Sequence, residues 1–299
     1  MILGKFMPPH LGHQYLADFA SYQVQRLYVV VATLESEPIP GRLRLAWMED
    51  ICPRARVIRL TDDNPQYPEE DPDFWNIWRK SLERVLPEPP DMVFASENYG
   101  FRLAEELGAT YVPVDHAREL VPISGTKIRQ DPLRHWAYLP PPVRPYFVRR
   151  VAVAGPESTG KSVLARRLAH HYHTVYVHEY ARGLVDLNDG RVDYNLFPRI
   201  ARGQASAEEA MARQANRILF CDTDLITTAL YADMFFGRCP GWIRREAERR
   251  ASDLYLVLEP DAPFVPDPQR FFADRRYEFL EGYLAELDRL GRSHVRIGG

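Results

Sequence analysis

Residues 155–162 read Gly-Pro-Glu-Ser-Thr-Gly-Lys-Ser, directly after the apolar stretch 150–154. A loop of this form works because its backbone N–H groups converge on phosphate oxygens at the start of the next helix, where the helix dipole also favours negative charge. It therefore demands a strand before it and a helix after it, and an α/β architecture built on a parallel sheet follows. A second glycine-bearing turn, Gly4-Lys5-Phe6-Met7-Pro8-Pro9-His10-Leu11-Gly12-His13, stands at the start of the sequence in the same strand-to-helix setting. Two phosphate-handling loops in one chain imply two sites.

A chain of 299 residues that is 45% hydrophobic can bury two cores of ordinary size. The formal net charge of -3 carries no basic excess of the kind that tracks a nucleic-acid backbone, so nucleic acid is not an expected partner. Cys52, Cys221 and Cys239 are odd in number and far apart, which indicates neither a disulfide framework nor a zinc site and fits a reducing cytoplasm. The opening Met1-Ile2-Leu3 is too short for a signal-peptide core, and no later run is apolar over the roughly 18 residues a membrane span needs. A homo-oligomer is compatible with this composition. Lysine occurs only at Lys5, Lys80, Lys127 and Lys161, and three of these fall inside the phosphate motifs.

Hydrophobic patterning predicts strands over 27–32, 57–60 and 92–95 and helices over 43–51 and 75–86 in the first half. Alternation of this kind describes a doubly wound parallel sheet. The pattern breaks in a proline-rich stretch, where successive prolines fix φ and remove backbone donors. The expected organisation is a first domain over 1–138, a stiff spacer over 139–148 and a second domain over 149–299. The second half predicts strands over 150–154, 175–178, 218–221 and 254–258, with helices over 162–171, 207–216 and 274–290.

In the second domain the loop residues Gly155, Glu157, Ser158, Thr159, Gly160, Lys161, Ser162 and Val163 are the expected ATP-binding set. Lys161 is expected on the β- and γ-phosphates and Ser162 on Mg²⁺. Phosphoryl transfer also needs a carboxylate on the metal, and Asp222 and Asp224 follow an apolar strand that would deliver them to the phosphates. Glu179 and Arg182 are candidates for holding a sugar hydroxyl and a phosphate, or else form an exposed helical ion pair. Arg270, Arg275 and Arg276 read as a mobile lid over the transferring phosphoryl group, or as a solvated helix start.

In the first domain His10 and His13 flank Gly12 where strand gives way to helix, and can donate to a triphosphate as pyrophosphate leaves. Downstream, Ile123-Ser124-Gly125-Thr126-Lys127-Ile128-Arg129 sets hydroxyls at a helix start with two cations one turn in. The His-x-Gly-His and Ile-Ser-Gly-x-x-x-Arg pair resembles the signatures of the nucleotidyltransferase superfamily. Joined to the second loop, and with 96–100, His178-Glu179-Tyr180-Ala181-Arg182 and Asp222-Thr223-Asp224, the chain resembles one family over nearly its whole length. That family is the NadR-type bifunctional nicotinamide mononucleotide (NMN) adenylyltransferase and ribosylnicotinamide kinase.

The resemblance implies an N-terminal Rossmann-like nucleotidyltransferase domain and a C-terminal P-loop kinase domain. It implies ATP-dependent phosphorylation of nicotinamide riboside by the second, with Mg²⁺, and transfer of AMP from ATP to NMN by the first, giving NAD and pyrophosphate. His10, His13, Ser124, Thr126, Lys127 and Arg129 carry over as triphosphate contacts, Gly4, Lys5 and Phe6 as backbone contacts, and Arg42 or Arg44 as a further phosphate contact. Asn76 and Trp78 match an Asn-x-Trp element that receives nicotinamide, although Trp78 is equally placed to be helix core. Some members carry a helix-turn-helix domain ahead of the first motif, which this sequence reaches at Gly4, so repression is not implied. Two rival readings are a nucleotide sensor with vestigial catalysis, against which intact Lys161, His10, His13 and Arg129 argue, and the same scaffold acting on another small phosphate ester.

Overall fold

The computed structural model describes residues 1–298. Contacts divide the chain into two compact units, Met1–Arg144 and Pro145–Gly299.

In the first unit, strands β1 (Ile2–Gly4), β2 (Leu27–Ala32), β3 (Ala55–Leu60), β4 (Met92–Ala95) and β5 (Thr110–Pro113) alternate with helices α1 (Leu11–Ser21), α2 (Gly41–Ile51), α3 (Phe74–Val85), α4 (Tyr99–Glu106) and α5 (Gly125–Gln130). The ladders β1–β2–β3 and β4–β5 are parallel. Phe94 N donates to Met1 O at 2.9 Å and joins the two ladders side by side. The resulting order, β3-β2-β1-β4-β5, reverses direction between β1 and β4, and in such sheets ligands bind outside the strand ends at that switch point. Val30, Leu60 and Val93 bury one sheet face against Leu82, Leu86 and Leu103 of the α3–α4 layer.

The proline-rich stretch behaves differently from an extended spacer. Leu139 and Val143 are fully buried, and Arg144 donates to Leu139 O at 2.9 Å while lying over the Trp136 ring. The boundary between the units falls just after it, within the short helix α6 (Arg144–Phe147). Three consecutive prolines do not keep a segment extended when the apolar residues on either side of them have a core to enter.

The second unit holds β6 (Arg149–Ala154), β7 (Tyr176–Val177), β8 (Ile218–Asp222), β9 (Leu254–Leu258) and β10 (His294–Ile297) in the parallel order β10-β9-β6-β8-β7. Around it lie α7 (Lys161–His171), α8 (Tyr180–Leu187), α9 (Leu196–Ala212), α10 (Leu225–Phe236), α11 (Gly241–Arg249) and α12 (Arg276–Arg289). Strand alternation sends Val151 and Val153 toward Ala165 and Ala169 of α7, and Ala152 and Ala154 toward α10 and α12. Two helical layers on one sheet result. Among the described residues, no helix is long and apolar enough to cross a membrane.

Helix α9 begins at Leu196, well ahead of the expected 207, because Pro198 sits in its first turn where no intrahelical N–H is lost. Helix α10 shows no amphipathic period in sequence; Leu225, Ile226, Thr227, Thr228, Ala229 and Ala232 are all buried, so several of its faces need apolar or small residues.

Arg44 is overturned as a phosphate contact. It is 0% exposed and donates to Ile39 O (3.0 Å), Lys5 O (2.6 Å) and Ala32 O (3.2 Å), and its guanidinium also grips the Glu37 carboxylate. Those donors serve the fold by tying the turn after β1 to the end of β2. Removing one member of a buried pair leaves the other uncompensated, which costs about 3–5 kcal/mol. Arg44→Met is expected to destabilise the folded chain on the order of 3 kcal/mol. Denaturant unfolding checks it, and a loss below about 1 kcal/mol would show that Arg44 is not a structural tie.

Candidate functional site

At the switch point of the first unit a cleft of about 1050 Å³ is walled by Gly4, Lys5, Phe6, His10, His13, Trp78, Ser124, Thr126 and Arg129. The two histidines are stacked, with ring centroids 3.7 Å apart at 25°, and the Phe6 ring meets His13 edge-on at 4.9 Å. His10 N, at the cap of α1, donates to His13 Nδ1 at 3.3 Å. With Nδ1 accepting, a neutral His13 carries its proton on Nε2 and can donate from there. Burial pushes the His10 imidazole down to about 4, with Arg118 adding to the effect, and His13 falls well below its ordinary value through burial, then His10, then Arg118. Both rings are neutral near pH 7. His10 Nδ1 is buried without a hydrogen-bond partner.

The second motif arrives at the same cleft by close backbone approach. A side chain on Gly125 would place its Cβ 2.6 Å from Met7 O, so only glycine admits the loop after β1. Arg129 donates to Met7 O and, at 3.1 Å, to Thr126 Oγ1, and Ser124 Oγ caps α5 by accepting from Lys127 N at 3.3 Å. Lys5 is paired with Glu37 at 3.3 Å. Lys127 is exposed and outside the wall; Asn76, half-buried, is also outside it, its amide bonding Asp73 (2.8 Å) and Arg79 (2.8 Å). Trp78 does line the cleft while donating to Pro65 O at 2.9 Å. Glu97, from the 96–100 stretch, lines it too, as do Trp75, Arg102 and Arg118, which no motif in the sequence marks.

In the second unit the loop after β6 has Gly155 at φ 134° and Gly160 at φ 87°. A Cβ at Gly155 would sit 2.6 Å from Leu258 O, so strand β9 presses on the loop where only glycine fits. Pro156 O accepts from Lys161 Nζ (2.7 Å) and Thr159 Oγ1 (2.9 Å). Ser162 and Val163 occupy the exposed first turn of α7. A pocket of about 100 Å³ beside the loop is walled by Glu157, Ser158, Lys161, Glu179, Arg182 and Arg270. Thr223, Thr227, Tyr231 and Phe235 also line it from the start and one side of α10, with Phe271 beside Arg270, and sequence reasoning did not assign them because α10 shows no amphipathic period to mark a pocket-facing side.

The charged groups there are closely matched. Burial lowers Lys161, opposed by Glu179, Asp222 and Glu157; burial raises Glu179, opposed chiefly by Lys161. Glu179 pairs with Arg182 at 3.2 Å, and Arg182 lies 3.6 Å from Asp267. Asp222 ends β8, 2% exposed, with Oδ1 buried and unpartnered. An orphaned buried carboxylate oxygen beside the phosphate loop fits a divalent cation, with the Ser162 hydroxyl as a second ligand. Among the described residues there is no group of three or more His, Cys, Asp or Glu that could hold a metal, so such an ion would share its shell with nucleotide phosphates.

Asp224 does not fit the metal role. Its carboxylate caps α10 by accepting from Thr227 N (2.9 Å) and accepts from the buried Tyr283 hydroxyl (2.9 Å), and burial raises its pKa. The three lid arginines also separate. Arg270 reaches Ser158 Oγ at 3.4 Å, whereas Arg275 pairs with Glu278 and lies over Phe272, and Arg276 is buried against Ala262 O (3.1 Å). Only Arg270 of the three lines the pocket. The backbone of this segment is held to the loop: Glu157 accepts from Phe271 N and Phe272 N at 3.1 Å each, and Ser158 Oγ from Val265 N at 2.8 Å.

His10 generates a pH prediction. Its folded pKa of about 4 lies below the ordinary value of 6.5, so between those limits the unfolded chain binds more protons and stability falls as pH falls. The full effect is on the order of 3 kcal/mol. Wild type and His10→Gln compared by denaturant unfolding from pH 7 to 4 test this, the variant being expected to show the shallower slope. Parallel slopes would mean that His10 is not held neutral.

A family model described as "AAA domain" matches residues 150–299. The Escherichia coli (strain K12) protein "Trifunctional NAD biosynthesis/regulator protein NadR" is 32% identical over 99% of this chain and 78% of its own length. The Aeropyrum pernix "Nicotinamide-nucleotide adenylyltransferase" is 29% identical over 44% of this chain and 76% of its own. A solved structure described as "Crystal structure of NadR protein in complex with NR" superposes with a TM-score of 0.84 at 25% identity, covering 100% of this chain and 88% of that one. With parallel α/β sheets like those of that structure, and similarity running through both phosphate loops, the chain belongs to the NadR family.

Proposed function

We propose that the chain is a bifunctional transferase of NAD biosynthesis, in which the second unit phosphorylates nicotinamide riboside to NMN and the first joins NMN to AMP. The observation that carries this reading is the pair of phosphate loops, each converging with its own charged groups, within a chain similar end to end to NadR proteins. In the kinase step the riboside 5′-oxygen attacks the γ-phosphorus of ATP, the bond to ADP breaks, and the hydroxyl proton passes to Asp222. Lys161 neutralises charge on the β- and γ-phosphates, Arg270 approaches from the 262–275 segment, and Glu179 with Arg182 holds the ribose. Mg²⁺, held by Ser162 and Asp222, would supply charge neutralisation on the phosphates.

In the adenylyl step an NMN phosphate oxygen attacks the α-phosphorus of ATP and pyrophosphate leaves with the electron pair. No protein nucleophile is needed, so position and charge stabilisation carry the catalysis. The His13 Nε2–H, the Thr126 hydroxyl and the Arg129 guanidinium supply donors. Neutral imidazoles remain usable donors without repelling the guanidinium groups that share the cleft.

Because the loops belong to different compact units, Lys161→Ala is expected to abolish NMN formation from nicotinamide riboside while leaving NAD formation from supplied NMN. His13→Ala should do the reverse, with NAD formation down about 10²–10³-fold. Assays of both steps on both variants test the division, and joint loss in a folded variant contradicts it.

Asp222→Asn is expected to lower the kinase kcat about 10²-fold or more with little change in riboside KM, since proton acceptance matters in the transition state. Glu179→Gln should raise chiefly the riboside KM. A near-normal kcat for Asp222→Asn at saturating ATP would remove Asp222 from the proton-accepting role.

A further inference from the structure

The cleft of the first unit holds more cationic side chains than its two motifs account for. Two neutral imidazoles provide hydrogen bonds but no charge, while a nucleoside triphosphate and a phosphate monoester together bring several negative charges into it. Lys5 is paired with Glu37 at 3.3 Å, and Arg102 with Glu106 at 2.6 Å on its own helix. Arg129 spends part of its guanidinium on Met7 O and Thr126 Oγ1, leaving its remaining N–H donors for the nucleotide.

Arg118 is placed differently. It lines the cleft from the loop after β5, is exposed, and its guanidinium lies 2.6 Å from Glu97, a carboxylate that also lines the cleft. The loop is closed by the Asp115 carboxylate, which accepts from Glu119 N (3.0 Å), Leu120 N (3.2 Å) and Val121 N (3.3 Å). Val121 Cβ stands 3.7 Å from where a Gly12 Cβ would be, so the loop abuts the turn between the histidines. The charge of Arg118 is felt at both imidazoles, where it disfavours a second positive charge.

We propose that Arg118 is a further catalytic residue of the adenylyl-transfer site, exchanging the Glu97 carboxylate for the polyphosphate of the nucleotide held against His10 and His13. A guanidinium can make that exchange without moving far, because carboxylate and phosphate present similar paired acceptor oxygens. Glu97 acts as a placeholder that keeps the group extended into the cleft. The proposal rests on the adenylyl-transfer reading for its reaction, but polyphosphate binding can be measured without turnover.

The test uses the full chain and pyrophosphate as the probe. Calorimetric titration and product inhibition are expected to show pyrophosphate binding weakened about tenfold or more in Arg118→Gln, with NAD formation from NMN and ATP down about 10²-fold. Arg118→Lys, which keeps a charge but loses the fork, should recover a large part of both. Glu97→Gln should lower the KM for ATP by releasing its partner. Unchanged pyrophosphate affinity in Arg118→Gln overturns the proposal. So does a Lys variant as impaired as the Gln variant with an equal loss of thermal stability, since that result means Arg118 only holds its loop. If wild type binds pyrophosphate through Arg118 but forms no NAD, the site assignment stands and the adenylyl-transfer reading fails.

Discussion

Parallel pairing at the first strand of each unit decides where every charged group lands. Strand β6 runs beside β8 with Val153 opposite Asp222, and beside β9 with Ala154 opposite Val257. One residue further on, the chain leaves the sheet at Gly155, pressed against the Leu258 carbonyl. A slip of one residue in that register would turn Asp222 to the opposite face and bury Val153 where Ala152 now sits. In the first unit the Phe94–Met1 bond plays the same part, setting the end of β4 beside the end of β1 so that 96–99 and Gly4 to Met7 face one cleft.

The two sites meet the cost of buried charge in opposite ways. At the N-terminal cleft burial strips the imidazoles of charge, and positive potential is left to the guanidinium groups. At the C-terminal loop the ammonium of Lys161 is kept among carboxylates, with Glu179, Asp222 and Glu157 opposing the effect of its burial. That balance is incomplete at Asp222, whose orphaned oxygen is the strongest local demand for a cation.

Several residues that look chemical in sequence are spent on the fold. Asp224 caps a helix and anchors Tyr283, Arg44 ties three carbonyls to Glu37, and Arg276 is buried against Ala262 O and the Phe264 ring. The acceptors of Asp224 and the donors of Arg44 are engaged within the protein, and Arg276, buried beside Ala262 O, does not line the pocket. Their neighbours two to six residues away, Asp222 and Arg270, carry the same chemistry with capacity left over. Nothing in spacing alone separates the two groups, because a strand end and the helix cap after it lie within one turn of chain.

What the sequence by itself determined was local: the two phosphate loops, the strands before them, the glycines that admit close backbone approach, and a parallel α/β architecture in each half. These follow from short-range rules, since a loop such as 155–162 is recognisable wherever an apolar strand precedes it and a helix follows. Tertiary structure alone decided which carboxylate is orphaned, which arginines face a cleft, and that Trp75, Arg102, Arg118 and Tyr231 belong to sites at all. Those residues reach their clefts from separate elements across the sheet, and their protonation and pairing depend on burial, which is set only when the layers pack.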